Sequence, residues 1–106
     1  MTTKLRVTVM RKFNPEEIFG HEILRDGEPI QPCGHEIGEA FIVNHHLDRP
    51  KGFCGQAWQD LYTTLMIYYF GGDYNYPEAG VTYQPCGDGM RPVIFKIEKI
   101  GEPSEL

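Results

Sequence analysis

Between residues 52 and 73 the polarity of the chain repeats with the period of a helix. Trp58, Leu61, Tyr62, Leu65 and Tyr69 fall at i, i+3, i+4 spacing on one broad face, while Gln56, Gln59, Asp60, Thr63 and Thr64 lie largely off it. This predicts one main helix over about 54–70. Gly71-Gly72 closes it, because glycine takes the left-handed C-terminal position without a Cβ penalty. Over residues 65–70 the apolar character runs all round, so that end is expected to be covered on several sides, by a sheet or by a second subunit. Isoleucine and tyrosine also favour strands, but the periodic region outruns the usual length of one.

Elsewhere the period is two. Leu5, Val7 and Val9 alternate with Arg6, Thr8 and Met10, and Val93, Phe95 and Ile97 with Ile94, Lys96 and Glu98, which predicts two half-buried strands. Shorter strands are expected within 37–43 and over 81–83. Asn14-Pro15-Glu16-Glu17 reads as an N-cap, a proline at the first helical position and acids in the first turn, with Gly20 limiting the helix to a single turn. Asp26-Gly27, set between Ile23-Leu24 and Pro29-Ile30, suits a two-residue hairpin whose second strand Pro29 confines to an edge. A polar loop over 44–52 feeds the main helix, a tyrosine-bearing loop over 73–80 leaves it, 84–89 is a turn, and 101–106 is expected to fray. The sum is an α+β domain: a small curled antiparallel sheet, or open barrel, of four to five short strands packed on one helix.

At 106 residues the chain is a single domain with one modest core. Its 41% hydrophobic and 24% charged residues exclude general disorder. The formal net charge of -5 argues against non-specific nucleic-acid binding, which needs a basic surface. No membrane span is expected, since no long apolar run occurs, and the first residues lack the apolar region of a signal peptide. Three cysteines, an odd number, fit a cytoplasmic protein with reduced thiols better than a disulfide framework.

The candidate chemistry lies in those cysteines. Each precedes a glycine, and the tetrapeptide Gln-Pro-Cys-Gly occurs twice, at 31–34 and 84–87. Glycine after cysteine permits a tight turn in which backbone N–H groups approach the sulfur. Three readings stay open. The thiols can be small apolar core fillers. Cys33, His35, Cys54 and Cys86 can form a four-ligand set for zinc, or their thiolates can hold iron–sulfur chemistry, although their spacing lacks the close pairs usual in zinc sites. Cys54, at the expected helix N-terminus, is a candidate catalytic thiol, with His35, His45 or His46 as base and Glu39 or Asp88 to orient it.

His45-His46 beside Asp48 reads as a solvated turn, because adjacent histidines in an extended chain point to opposite sides. Glu16, Glu17 and Glu36 read as caps or solvated faces. Trp58, Tyr69, Tyr74, Tyr76 and Asp88 are candidates for the rim of a pocket or interface, which makes a non-enzymatic binding module or a homo-oligomer the alternative to a thiol or metal site. No glycine-rich phosphate loop, Gly-x-Ser-x-Gly or His-Glu-x-x-His motif occurs. Substrate, small-molecule ligand and the choice between enzyme and binding protein stay open at this level.

The marks also follow one another in a familiar order. They are Val7-Thr8-Val9, Cys33 with Gly34-His35-Glu36-Ile37-Gly38-Glu39-Ala40-Phe41, Phe53-Cys54-Gly55-Gln56-Ala57-Trp58 running to Gly71-Gly72, Cys86-Gly87-Asp88, and Pro92-Val93-Ile94-Phe95-Lys96-Ile97. This order resembles a family of small prokaryotic proteins with no assigned function, across nearly the whole chain. The chain departs from that pattern in having no extra residues between Cys33 and Gly34-His35, and in placing Gly55 where the family often has proline. The resemblance implies one shared domain and assigns no activity.

Overall fold

Alternation along the first and last strands decides the architecture. In the computed structural model, which describes residues 3–101, β1 (Leu5–Lys12) buries Leu5, Val7 and Val9 on one face, and β6 (Val93–Lys99) buries Val93, Phe95 and Ile97 on the same side. The two strands pair antiparallel at the centre of a four-stranded sheet in the order β4-β1-β6-β5, where β4 is Ala40–Val43 and β5 is Val81–Pro85. Register brings Val7 opposite both Phe41 and Ile97, and Val9 opposite Phe95, so one face of the sheet is a continuous apolar surface. β4 and β5 are its edges. The sheet therefore stays open and is not closed into a barrel, and with one main helix the domain is α+β, as expected.

The main helix, α2 (Gly55–Tyr69), lies across that face. Ala57, Trp58, Leu61, Thr64, Leu65, Tyr68 and Tyr69 are its buried residues, and they join the sheet residues in one core. Two details differ from the periodic reading. Tyr62 rotates outward to 37% exposure and Tyr68 takes the inner position, because the sheet contacts an arc centred between Leu61 and Leu65. The apolar end at 65–70 is also less covered than its composition suggests: Met66 is 40% exposed and Phe70 52%, since one sheet can cover only one side of a helix. Tyr68 is fully buried, and its hydroxyl accepts a hydrogen bond from the Tyr74 N–H at 3.1 Å. Burial raises the Tyr68 phenol above its ordinary pKa.

Gly71 and Gly72 end α2 as predicted, for two distinct reasons. Gly71 has φ +95°, the left-handed value, whereas a Cβ on Gly72 would stand 2.7 Å from Ile67 Cγ2 and 2.9 Å from the Ile67 carbonyl oxygen. The Gly72 N–H donates to that same carbonyl at 2.8 Å, closing the helix end. The loop beyond is organised by Asp73, whose carboxylate accepts from the N–H groups of Asn75 and Gly80. Those bonds, with Lys99 3.5 Å away, hold Asp73 below the ordinary carboxylate range.

The peripheral elements follow their local signals. Helix α1 (Pro15–Phe19) is a single turn with a full capping box between Asn14 and Glu17, and Gly20 closes it in the left-handed conformation. Strands β2 (Leu24–Arg25) and β3 (Glu28–Pro29) form a separate hairpin whose central residues, Asp26 and Gly27, both have positive φ. Residue 101 is the last described, so the frayed end expected at 101–106 lies almost wholly outside the described residues. Among the described residues no helix is long and apolar enough to cross a membrane.

Candidate functional site

Three loops converge on the N-terminus of α2, and each brings a cysteine. Cys33 comes from the loop after β3, Cys54 is the N-cap residue of α2, and Cys86 directly follows β5. All three line one cavity of about 60 Å³, together with Gln56, Ala57, Asp88 and Arg91. Cys54 is exposed and the other two are half-buried; all three are free thiols. The repeated Gln-Pro-Cys-Gly tetrapeptide thus marks two turns that meet.

Cys33 reaches the site through a loop anchored at two places. Lys12 Nζ donates to the Cys33 carbonyl at 3.2 Å. The second anchor is Glu39, placed beside β1 by backbone bonds from Val9 N–H to the Glu39 carbonyl (2.9 Å) and from Gly38 N–H to the Val9 carbonyl (2.7 Å). Between the anchors lies His35, 7% exposed and enclosed by the rings of Phe41, Phe53 and Phe95, whose centroids stand 5.7, 5.5 and 6.1 Å away. Its Nδ1 is 2.9 Å from Glu39 Oε1, and its Nε2 accepts the Cys54 backbone N–H at 3.1 Å. One neutral tautomer, with the proton on Nδ1, satisfies both bonds. The hydrogen bond from His35 in turn holds the Glu39 carboxyl below its ordinary pKa.

His35 is therefore a strut. It ties the first loop to the amide of Cys54, and its Nε2 lone pair points at a backbone N–H, not at a sulfur. This bears on the four-ligand reading, because a metal-bound imidazole must offer a free nitrogen. Both nitrogens of His35 are engaged, so in this arrangement it does not fit as the fourth ligand beside the cysteines. Among the described residues, no group of three or more His, Cys, Asp and Glu side chains is arranged to hold a metal ion.

The start of α2 is rich in donors. The Cys54 side chain makes no capping hydrogen bond, and the first intrahelical bond runs from Trp58 N–H to the Cys54 carbonyl at 2.9 Å. The N–H groups of Gly55, Gln56 and Ala57 precede it and have no partner within the helix. Arg49 braces the entry to the helix. Its Nη1 donates to the Phe53 carbonyl at 3.0 Å, and it packs so closely that a Cβ on Gly55 would stand 3.3 Å from it.

The Cys86 turn is locked to both neighbours. Cys86 exchanges backbone and sulfur bonds with Val93: its N–H donates to the Val93 carbonyl at 3.0 Å, and its Sγ accepts the Val93 N–H at 3.3 Å. Gly87 N–H donates to Asp60 Oδ2 on α2 at 2.6 Å, and a Cβ on Gly87 would lie 3.0 Å from that oxygen, so only glycine fits here without displacement. Asp88 caps the rest of the turn, accepting from Met90 N–H and Arg91 N–H and pairing with Arg91 Nε at 3.2 Å. Burial alone would raise the Asp88 carboxyl, but these donors outweigh it and hold it below its ordinary pKa.

The remaining candidates are dispersed. His45 and His46 sit in a turn organised by Asn44 Oδ1, which accepts from the N–H groups of His46 and Asp48. Their rings lie 4.0 Å apart between centroids, since the chain there bends and does not place adjacent side chains on opposite sides. Tyr69 is buried and donates to the His45 carbonyl at 2.7 Å, which ties this turn to the C-terminal end of α2. That end is about 20 Å from Cys54 at 1.5 Å per residue, so neither histidine serves the thiol. Trp58 is a core residue in edge-to-face contact with Phe53 and Tyr62. Tyr74 touches Thr64 and Tyr68, and Tyr76 is 78% exposed. Of the five pocket candidates, Asp88 alone lines the thiol cavity.

Arg91, Arg49 and Asp60 belong to the site although their spacing in the chain does not single them out. The one available signal is Asp88-x-x-Arg91, whose i, i+3 separation suits a turn closed by an ion pair. No family model, curated protein or solved structure matches the chain.

Proposed function

We propose that the protein carries a thiol–disulfide exchange site in which Cys54 attacks and Cys33 resolves. The observation behind this reading is that three free cysteines from three separate loops line one small cavity at a helix N-terminus. Cys54 is the exposed member, so an incoming disulfide meets it first. Cys33 lines that cavity with Cys54 and also a larger open cleft of about 280 Å³ beside it, with His35 and Glu39. Cys86 is bonded through both its backbone and its sulfur to Val93, which suits a structural role.

The exchange balances as follows. The Cys54 thiolate attacks one sulfur of a disulfide RS–SR, forming Cys54–S–S–R and expelling RS⁻, which takes up a proton. The Cys33 thiolate then attacks Cys54 Sγ, forming the Cys33–Cys54 bond and expelling the second RS⁻. The substrate disulfide gains two electrons and the two cysteines lose them; a dithiol reductant reverses the change. Helix N–H groups are donors that a sulfur anion accepts from, and the first turn of α2 stands beside Cys54; Arg91, paired with Asp88, adds a guanidinium to the cavity wall.

Mixing the reduced protein with hydroxyethyl disulfide tests this. Two equivalents of mercaptoethanol per chain are expected, released faster than by the urea-unfolded chain, and Cys54→Ser is expected to abolish the fast release. Equal rates for folded and unfolded chains would reject the reading.

A further inference from the structure

The thiol cavity shares part of its wall with a second one. Asp88 and Arg91, which line the cysteine cavity, also line a cavity of about 370 Å³ whose far wall is the β2–β3 hairpin. That volume lies in the range of small-molecule sites. Pro29, Ile30 and Met90 give it apolar surface, and Arg25 and Glu28 bring one charge of each sign. Arg25 and Glu28 stand directly opposite each other in the hairpin ladder, yet neither joins an ion pair among the described residues. Asp88 and Arg91 differ in this respect, being paired with each other at 3.2 Å. A disulfide whose sulfur reaches Cys54 would run its remaining part past Arg91 toward a separate cation and a separate carboxylate.

Resting on the exchange reading above, we infer that the substrate is a small zwitterionic disulfide of the amino-acid class, its carboxylate read by Arg25 and its ammonium by Glu28. A guanidinium takes a carboxylate in a two-bond fork, and a carboxylate takes an ammonium by charge-assisted hydrogen bonds. The four charges of the cavity, Arg25, Arg91, Glu28 and Asp88, sum to zero, so a substrate of net charge would find less complement there than a zwitterion.

The test compares cystine with hydroxyethyl disulfide, each rate divided by that of the same disulfide with a small free thiol so that leaving-group differences cancel. Cystine is expected to lead by about tenfold, the scale of one charge-assisted hydrogen bond. Arg25→Ala and Glu28→Gln are each expected to reduce that ratio by several-fold. A ratio near one in the natural protein, or a ratio that neither substitution moves, overturns the zwitterion assignment while leaving the exchange site standing. If neither disulfide releases thiol faster than the unfolded chain does, the exchange reading has failed and the assignment falls with it.

Discussion

Replacing Cys33 by serine is expected to stop the protein halfway. Cys33→Ser should release one equivalent of mercaptoethanol from hydroxyethyl disulfide instead of two, and accumulate a mixed disulfide on Cys54 visible as an adduct in the intact mass. The second step then depends on free thiols in solution. A neighbouring thiol held at the same cavity works at an effective concentration that dilute thiols do not match, so a slowing of about hundredfold or more is expected. Cys86→Ser keeps a hydrogen-bond acceptor for the Val93 N–H and should still release two equivalents. If instead Cys86→Ser traps the adduct and Cys33→Ser does not, the resolving role moves to Cys86.

The largest stability effect is expected at Phe53. It is 1% exposed, and its ring lies 4.9 Å from Phe41, 5.2 Å from Phe95, 5.5 Å from His35 and 5.8 Å from Trp58. Phe53 joins β4, β6 and the start of α2, and it immediately precedes Cys54. Phe53→Ala should cost about 3–5 kcal/mol, the range for aromatic truncation in a packed core, measured as a shift in urea unfolding at unchanged slope. It removes one of the three rings that enclose His35, so the fast phase of Cys54 should slow at denaturant concentrations where the variant is still folded. A loss below about 1 kcal/mol would show that the cluster does not hold the site together.

Much of the fold was legible because short-range rules act on short-range patterns. Leu5, Val7 and Val9, the N-cap at Asn14, Asp26-Gly27 and the Gly71-Gly72 stop each follow from neighbours in the chain. The inward turn of Tyr68 and the exposure of Met66 and Phe70 depend on where a single sheet touches the helix, which periodicity does not record. The site divides in the same way. The Cys-Gly pairs at 33–34 and 86–87 announced two turns, whereas the third pair, Cys54-Gly55, opens α2; Glu39 was among the groups expected to orient a histidine. That His35 would spend its second nitrogen on the Cys54 amide required the register of β4 against β1, which sets Glu39 beside Val9. Arg91 and Asp60 became part of the site only through the packing of the Cys86 turn on α2.

The most direct test of the thiol site is a peptide map of the protein after oxidation by a slight excess of hydroxyethyl disulfide, with free thiols alkylated and no reductant added. A single cross-linked pair of peptides carrying Cys33 and Cys54, with Cys86 alkylated, is expected. Three alkylated cysteines, or a cross-link that includes Cys86 in place of Cys33, would contradict the assignment of Cys54 and Cys33 as the exchanging pair.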